Sequence, residues 1–385
     1  MNLAGWTSFF QMGILVFLGA LLFMAFANLL GMRRLKRLPA LIPAPFVSVL
    51  VPARNEAANI EACVRSLLDQ EYANYELIVL DDQSTDGTAG ILAGLTARTS
   101  RLRLISGGPL PEGWVGKNWA CHQLALAARG DFLLFTDADT RHHPGMLCDA
   151  LALAVASRAD LLSGMPAQET GSWAEKLAVP MIPWMAHATA PIPLVRLWPF
   201  EFGVNAIGQF MLFRRRAYER IGGHAAVRAS VIEDFALPRR VKRFGLRWDL
   251  VDASARVRTR MYHSLGEVWD GYTKNLFAAF YYRLPAFTFV WLWMLYVTWV
   301  PLIGLLLQAA GRPLPGFSPA LALVAYAVDC LLWLLSDLRF GLPAWQAFLH
   351  PLTVAFFAAV AVRSASRHLR RRPVEWKDRL VPTQG

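Results

Sequence analysis

Apolar residues are spread along this 385-residue chain in two ways. At the ends they run almost unbroken; in the middle they come as short blocks separated by polar turns. Residues 9–32 (FFQMGILVFLGALLFMAFANLLGM) carry no charge and can cross roughly 30 Å of hydrocarbon. Further apolar runs at 286–309, 318–335 and 341–362 read as candidate spans, the first two joined by the turn Gly311 to Gly316. Between the ends, strands are predicted at Phe46–Val51, Glu76–Leu80, Arg101–Ile105 and Phe132–Phe135. Helices are predicted over Asn59–Asp69, with Asn59 as cap, from Asp86-Gly87-Thr88 onward, and over Asn118–Ala128. Strands of consecutive apolar residues belong in a parallel sheet covered on both faces. The β-α-β-α-β-α-β alternation predicts an α/β doubly wound domain. Residues 173–200 are rich in Trp, Met and Pro, and the prolines exclude one continuous spanning helix. That stretch reads as an interfacial segment admitting a lipid, or as a buried helix pair.

Composition localises this picture. The chain is 55% apolar with a net charge of +11, and much of that charge flanks the apolar runs. Arg33, Arg34, Lys36 and Arg37 follow the first run, and Arg363 to Arg372 follow the last. This placement favours anchoring at a membrane over binding nucleic acid. Because the basic residues come after the first run, it reads as an anchor rather than a cleaved signal, with the next domain on the cytoplasmic side. Three later spans would put the basic tail outside, against the charge rule, so either one segment is re-entrant or interfacial, the third being favoured, or the tail breaks the rule. The expected layout is an anchor at 1–38, a cytoplasmic domain at 44–284 and a membrane region with basic tail at 285–385. Asp329 is the acid expected within the spans, standing alone. Cys63, Cys121, Cys148 and Cys330 form no C-x-x-C pair and read as reduced packing residues.

The chemistry sits at strand ends. In open α/β sheets ligands collect beyond the carboxyl ends of the strands. Three successive ends carry Arg54-Asn55-Glu56, Asp81-Asp82 and Asp137-Ala138-Asp139. The last pair suits a divalent cation, Mg2+ or Mn2+, holding a diphosphate; the alternative is a turn capping the next helix. No G-x-G-x-x-G follows the first strand, so a dinucleotide site is unsupported. Lys117, in a Gly-containing loop before a helix, reads as a phosphate contact or a solvated lysine. Glu233-Asp234 opens a helix running through Arg240, either as a general base or as acids favoured by the helix dipole. His224 and His263 are candidate acceptor or metal neighbours, with a structural role as the alternative.

The ordered set Val51-Pro-Ala-Arg-Asn-Glu56, Asp81-Asp-Gln-Ser-Thr-Asp-Gly-Thr88, Asp137-Ala-Asp139 and Glu233-Asp234 resembles the family-two inverting glycosyltransferases of GT-A fold, over roughly 47–245. The resemblance implies a GT-A nucleotide-diphospho-sugar transferase domain with a mostly parallel sheet, flanked by N- and C-terminal transmembrane helices. It implies that Pro52, Arg54, Glu56 and Asp82 hold the base and ribose, with Lys117 and Asp137 on the diphosphate side. Asp139, with Asp137, would hold the metal; Asp234 would be the base, with Glu233 second. Trp114-Val-Gly-Lys-Asn-Trp-Ala-Cys-His-Gln123, Arg260-Met-Tyr262, Gly271-Tyr-Thr-Lys-Asn275 and Val374-Glu-Trp-Lys377 look like membrane glycosyltransferases of carotenoid and hopanoid pathways, the diaponeurosporenoate type above all. The Q-x-x-R-W motif of processive synthases is missing before Arg247-Trp248, implying single transfer. The implied reaction moves a hexose, glucose, from a UDP-sugar to a lipophilic acceptor such as a carotenoid or other isoprenoid lipid, at the cell membrane and without nucleic acid. A carboxylate acceptor would need no base, so the acid pair points to a hydroxyl. The alternatives are a polyprenyl-phosphate sugar transferase and a membrane protein with a non-catalytic nucleotide-sensing domain. The latter would not need Asp137, Asp139 and Asp234 together.

Overall fold

Ten strands order the polar part of the chain: β1 (Val47–Ala53), β2 (Tyr75–Asp81), β3 (Leu102–Ser106), β4 (Phe132–Phe135), β5 (Thr140–His142), β6 (Leu161–Met165), β7 (Ala167–Gln168), β8 (Met211–Arg214), β9 (Trp248–Asp252) and β10 (Val257–Thr259). The computed structural model describes residues 3–39, 41–370, 374–376 and 379–381. Seven strands form one sheet in the order β3-β2-β1-β4-β8-β6-β9, and β5-β10-β7 form a second. In the large sheet β8 is antiparallel to both neighbours and every other pairing is parallel. Val47, Val49, Leu50, Val51, Leu77, Ile78, Val79 and Leu80 are fully buried, so both sheet faces are covered. That burial is why these strands read as unbroken apolar runs rather than alternating ones.

The predicted strands and helices lie within a residue or two of their expected places. Asn59 occupies the cap position of the helix Ile60–Leu68, yet its side chain makes no cap bond. It donates instead to Glu56 Oε2, 3.3 Å away. Gly130 is required where it stands, because a Cβ there would collide with the backbone of Val47 and Ser48. β1 and β4 pair only as far as Leu50 and Phe135, which leaves Pro52 paired on the β2 side alone. A proline is tolerated there because no ladder bond is asked of its nitrogen on the β4 side. Residues 33–35 add to β9: Leu35 N–H donates to Asp252 O (2.7 Å) and Asp252 N–H to Arg33 O (2.9 Å).

The chain divides into two compact units. The sheet unit is built from Met32–Glu169 and Ile192–Met261, and the helical unit from Met1–Gly31, Thr170–Pro191 and Tyr262–Arg372. The expected soluble domain, 44–284, thus loses 170–191 and the residues from 262 to the helical unit. The reason is visible in that unit's contacts. Asn28 Nδ2 donates to His187 O and Ala190 O (2.7 Å each), Trp184 stacks on Trp333 at 5.0 Å, and Ser364 Oγ donates to Thr273 O (2.6 Å). Gly271 leaves room for the Tyr262 ring, which a Cβ there would strike.

Among the described residues four helices of the helical unit are long and apolar enough to cross a membrane: Ala4–Gly31, Leu284–Ala309, Pro319–Phe340 and Ala344–Leu369, the last opening with a 3-10 stretch over Ala344–Leu349. The third runs on past Leu335 until Gly341, at φ 77°, ends it. Asp337 and Arg339 therefore lie inside a helix expected to stop before them. Nor does Asp329 stand alone: Thr298 Oγ1 donates to its Oδ2 (3.1 Å), and His350 Nε2 lies 3.3 Å from the same oxygen. Residues 173–200 break into short helices, Trp173–Ala178, Met181–Ala188 and Ile192–Leu197, with Pro180 capping the second and Pro183 and Pro193 in first turns, where the missing N–H costs no helical bond. The four cysteines are free and sit on helices, as expected. Val374–Trp376 is a strand pairing with Arg379–Val381, while Lys377, Arg371 and Arg372 lie outside the described residues.

Candidate active site

β1, β2 and β4 are adjacent and parallel, so their carboxyl ends deliver Arg54-Asn55-Glu56, Asp82 and Asp137-Asp139 to one edge. The first two ends are laced together. Asn55 (φ 51°) and Gln83 (φ 57°) turn the chain through the left-handed region, which Asn tolerates because its short side chain bonds locally. Asn55 N–H donates to Ser84 Oγ (3.0 Å), Thr85 N–H to Asn55 Oδ1 (2.8 Å), Glu56 N–H to Thr88 Oγ1 (2.8 Å) and Ala57 N–H to Asp86 Oδ2 (3.0 Å). Arg54 Nη1 donates to the carbonyls of Asp82 (2.6 Å) and Gln83 (2.9 Å). Ser84, Thr85, Asp86 and Thr88 thus build the loops, and Asp82 is buried beneath them.

After β4 the chain turns at once. Thr140 Oγ1 donates to Asp137 O (2.7 Å), and Thr136 Oγ1 donates to Gln209 O (2.7 Å), fixing the D-x-D backbone against the segment before β8. Lys117 lies in the first turn of the helix Gly116–Ala127. Its Nζ stands 2.9 Å from Asp137 Oδ1 and 2.9 Å from Glu233 Oε1. Burial works against this ammonium, but the two carboxylates outweigh it and hold its pKa well above the ordinary lysine value. Lys117 is therefore neither a solvated loop lysine nor a remote one: it joins the D-x-D to the late acid pair.

The acid pair opens the helix Glu233–Arg243. Pro238 lies inside that helix and has no N–H for the Asp234 carbonyl four residues back. The freed carbonyl accepts from Ala206 N–H (2.7 Å). Two residues on, Gly208 backs the site: a Cβ there would stand 3.2 Å from Lys117 Nζ and 3.5 Å from Glu233 Oε1. Burial, and next the Glu233 carboxylate, push the Asp234 pKa upward, and Lys117 pulls partly the other way. The loop before the helix is fixed by Asn118, whose Nδ2 donates to Val227 O (2.9 Å), Arg228 O (3.2 Å) and Ser230 O (2.8 Å). Trp114, Trp119 and His122 pack their rings 5.1–5.7 Å apart around the start of the helix Gly116–Ala127.

Among the described residues no three His, Cys, Asp or Glu side chains converge as a metal cage. Asp137 and Asp139 offer hard oxygen donors, the partial set on which Mg2+ or Mn2+ completes its shell with phosphate and water. The donor chemistry fits such an ion. His224 is structural: it is buried, its Nδ1 lies 2.7 Å from the Tyr218 hydroxyl, and burial lowers its pKa to about 3. His263 belongs to a helix start in the other unit, where its N–H donates to Glu267 Oε2 (2.9 Å). Sequence reasoning missed Asn118, Gly208 and Pro238 as parts of the site. A proline five residues into a helix was the one readable signal among them.

Residues 48–222 match the model of Glycosyl transferase family 2. The chain is 27% identical over 233 residues to the 4,4'-diaponeurosporenoate glycosyltransferase of Staphylococcus haemolyticus, covering 60% of each, less than two thirds of that relative's length. It is 25% identical over 338 residues to the protein of that name in Staphylococcus aureus strain MRSA252, covering 86% of this chain and 87% of the other. A mannosyltransferase from Pyrobaculum calidifontis, solved with GDP-Man and Mn2+, superposes with a TM-score of 0.51 at 17% identity, over 94% of this chain and 98% of that one. That likeness concerns the fold alone.

Proposed function

Since residues 48–222 form a glycosyl transferase family 2 domain of GT-A fold, we propose that the protein is an inverting, non-processive hexosyltransferase carrying glucose from a UDP-sugar to a hydroxyl of a lipophilic acceptor, a carotenoid or other isoprenoid lipid. The observation that carries this reading is Lys117, placed 2.9 Å from both Asp137 and Glu233. One side chain thereby links the strand end suited to a diphosphate with the helix start suited to a base.

Pro52, Arg54, Glu56 and Asp82 form the wall for base and ribose, and their laced loops preorganise it. Asp139 and Asp137 would hold a divalent ion, which would supply positive charge to offset the charge that grows on the leaving diphosphate. Lys117, already poised between carboxylates, adds a cation on the same side and releases Asp137 as phosphate oxygens arrive. Asp234 takes the acceptor proton. Its upward-shifted pKa supports that role, because a base works best when its pKa approaches the operating pH. Glu233, paired with Lys117, holds the cation rather than the proton. The names of the staphylococcal relatives support a carotenoid-type acceptor. Four apolar helices and the basic residues after the first support a multi-pass membrane protein with a cytoplasmic catalytic unit.

Membranes containing the protein, incubated with labelled UDP-glucose, should yield a labelled lipid, and EDTA should abolish it. Asp139→Ala and Asp234→Asn should each slow transfer by about 100-fold or more. If both leave transfer unchanged, the proposal fails.

A further inference from the structure

Five large apolar side chains of the sheet unit face solvent in one short stretch: Leu194, Leu197, Trp198, Phe200 and Phe202 are 47, 83, 39, 63 and 79% exposed. The stretch is held, not loose. Ile192 and Val195 are buried beneath it. Lys242, itself 7% exposed, donates to the carbonyls of Val195 (2.7 Å), Arg196 (3.1 Å) and Trp198 (2.6 Å). Arg243 grips Glu201 through two bonds of 2.7 and 2.9 Å. A buried lysine that fixes three carbonyls stations the apolar side chains outward, at a cost in solvation that a soluble surface would not favour.

The anchor also says what covers them. Arg196 Nε bonds Asp249 Oδ1 (2.8 Å) on β9, and Arg33 pairs with the other oxygen of that carboxylate. Arg33 lies two residues beyond Gly31, where the first apolar helix ends, and opens the basic run Arg33, Arg34, Lys36, Arg37. The apolar stretch and the exit of that helix therefore share one strand and one carboxylate, beside cations that suit anionic headgroups. Downstream, the chain reaches Ala206, bonded to the Asp234 carbonyl, and Gly208 beside Lys117 and Glu233. Six residues from Phe202 to Gly208 span at most about 20 Å.

We propose that Leu194, Leu197, Trp198, Phe200 and Phe202 form a platform that docks on an anionic bilayer interface and passes an amphiphilic lipid along residues 202–208 to Asp234. The platform is independent of the assigned reaction; the passage of lipid rests on the transferase reading above. Large aromatic and Leu side chains beside basic residues are the composition that settles at the headgroup boundary.

The test uses full-length protein in vesicles of phosphatidylcholine and phosphatidylglycerol, with Cys148 and Cys330 changed to Ser. An environment-sensitive fluorophore is attached after Phe202→Cys or, as control, after Leu126→Cys, a comparably exposed apolar site on the helix Gly116–Ala127 (73%). Docking predicts blue-shifted emission at position 202, quenched by nitroxide lipids, and aqueous emission at position 126. Aqueous emission at both overturns the platform. The double variant Phe200→Ser/Phe202→Ser should raise KM for a bilayer-embedded acceptor about tenfold, equivalent to about 1.4 kcal/mol, while KM for UDP-glucose stays put. An unchanged acceptor KM overturns the passage of lipid. Loss of UDP-glucose turnover in the parent protein would instead sink the transferase reading and leave the fluorescence result standing.

Discussion

Lys117 has a carboxylate on either side, Asp137 Oδ1 and Glu233 Oε1, each 2.9 Å away. Its charge reaches Asp234 as well, where it opposes the upward push of burial and of Glu233. The sign of the pH dependence follows. A base must be ionised, so activity should rise with pH through a limb lying above the ordinary carboxylate range near ~4. Lys117→Met removes the cation that favours ionised Asp234, so the limb should move to still higher pH and the donor KM should rise about tenfold. A pH–rate profile checks this, and a limb that moves toward acid contradicts it. Stability carries the same sign. A carboxyl whose folded pKa exceeds its unfolded one stabilises the fold fully below the unfolded pKa, and that contribution is lost as pH rises through the folded one. Asp234→Asn should therefore raise Tm more at about pH 8 than at about pH 5. The carboxylates of this cluster were legible in the sequence, because each follows an apolar block at a place where the fold class puts ligands. The Lys117 bridge was not, since its partners lie 20 and 116 positions away and no spacing rule relates them.

At the level of elements, the helix Glu233–Arg243 shows how a local irregularity is put to use. Pro238 removes one intrahelical bond, and the Asp234 carbonyl takes Ala206 N–H in its place. On the other side, Asn118 gathers three carbonyls between Val227 and Ser230. Asn118→Ala would strip a bonding partner from three carbonyls of the loop Val227 to Ser230, and should cost about 1–3 kcal/mol. Because that loop leads into the base helix, kcat should fall more than donor KM rises; thermal unfolding and steady-state kinetics separate the two effects. The predicted strands β1 to β4 and their helices matched their apolar periodicity. The antiparallel β8 escaped prediction, because strand direction depends on which neighbour a segment meets, and Met211–Arg214 carries no mark of its orientation.

In the molecule as a whole, two units account for the two kinds of apolar pattern. In the helical unit the buried set Thr298, Asp329 and His350 ties three long helices together through one carboxylate oxygen. Asp329→Ala should leave both partners buried without it and lower the unit's stability by about 1–3 kcal/mol. Detergent-solubilised protein should then lose helix signal at lower temperature, and an unaltered melt would deny the set any structural weight. By itself the sequence determined the α/β class, the apolar helices, the three acidic strand ends and the late acid pair, because each is written in the periodicity of neighbouring residues. Only the tertiary structure decided that 170–191 and the chain after 261 pack with the apolar helices, that Lys117 bridges Asp137 to Glu233, and that an apolar stretch at 194–202 is exposed, with Arg196 and Arg33 sharing the Asp249 carboxylate. These depend on contacts between positions far apart in the chain, where side-chain geometry, not periodicity, selects the partner.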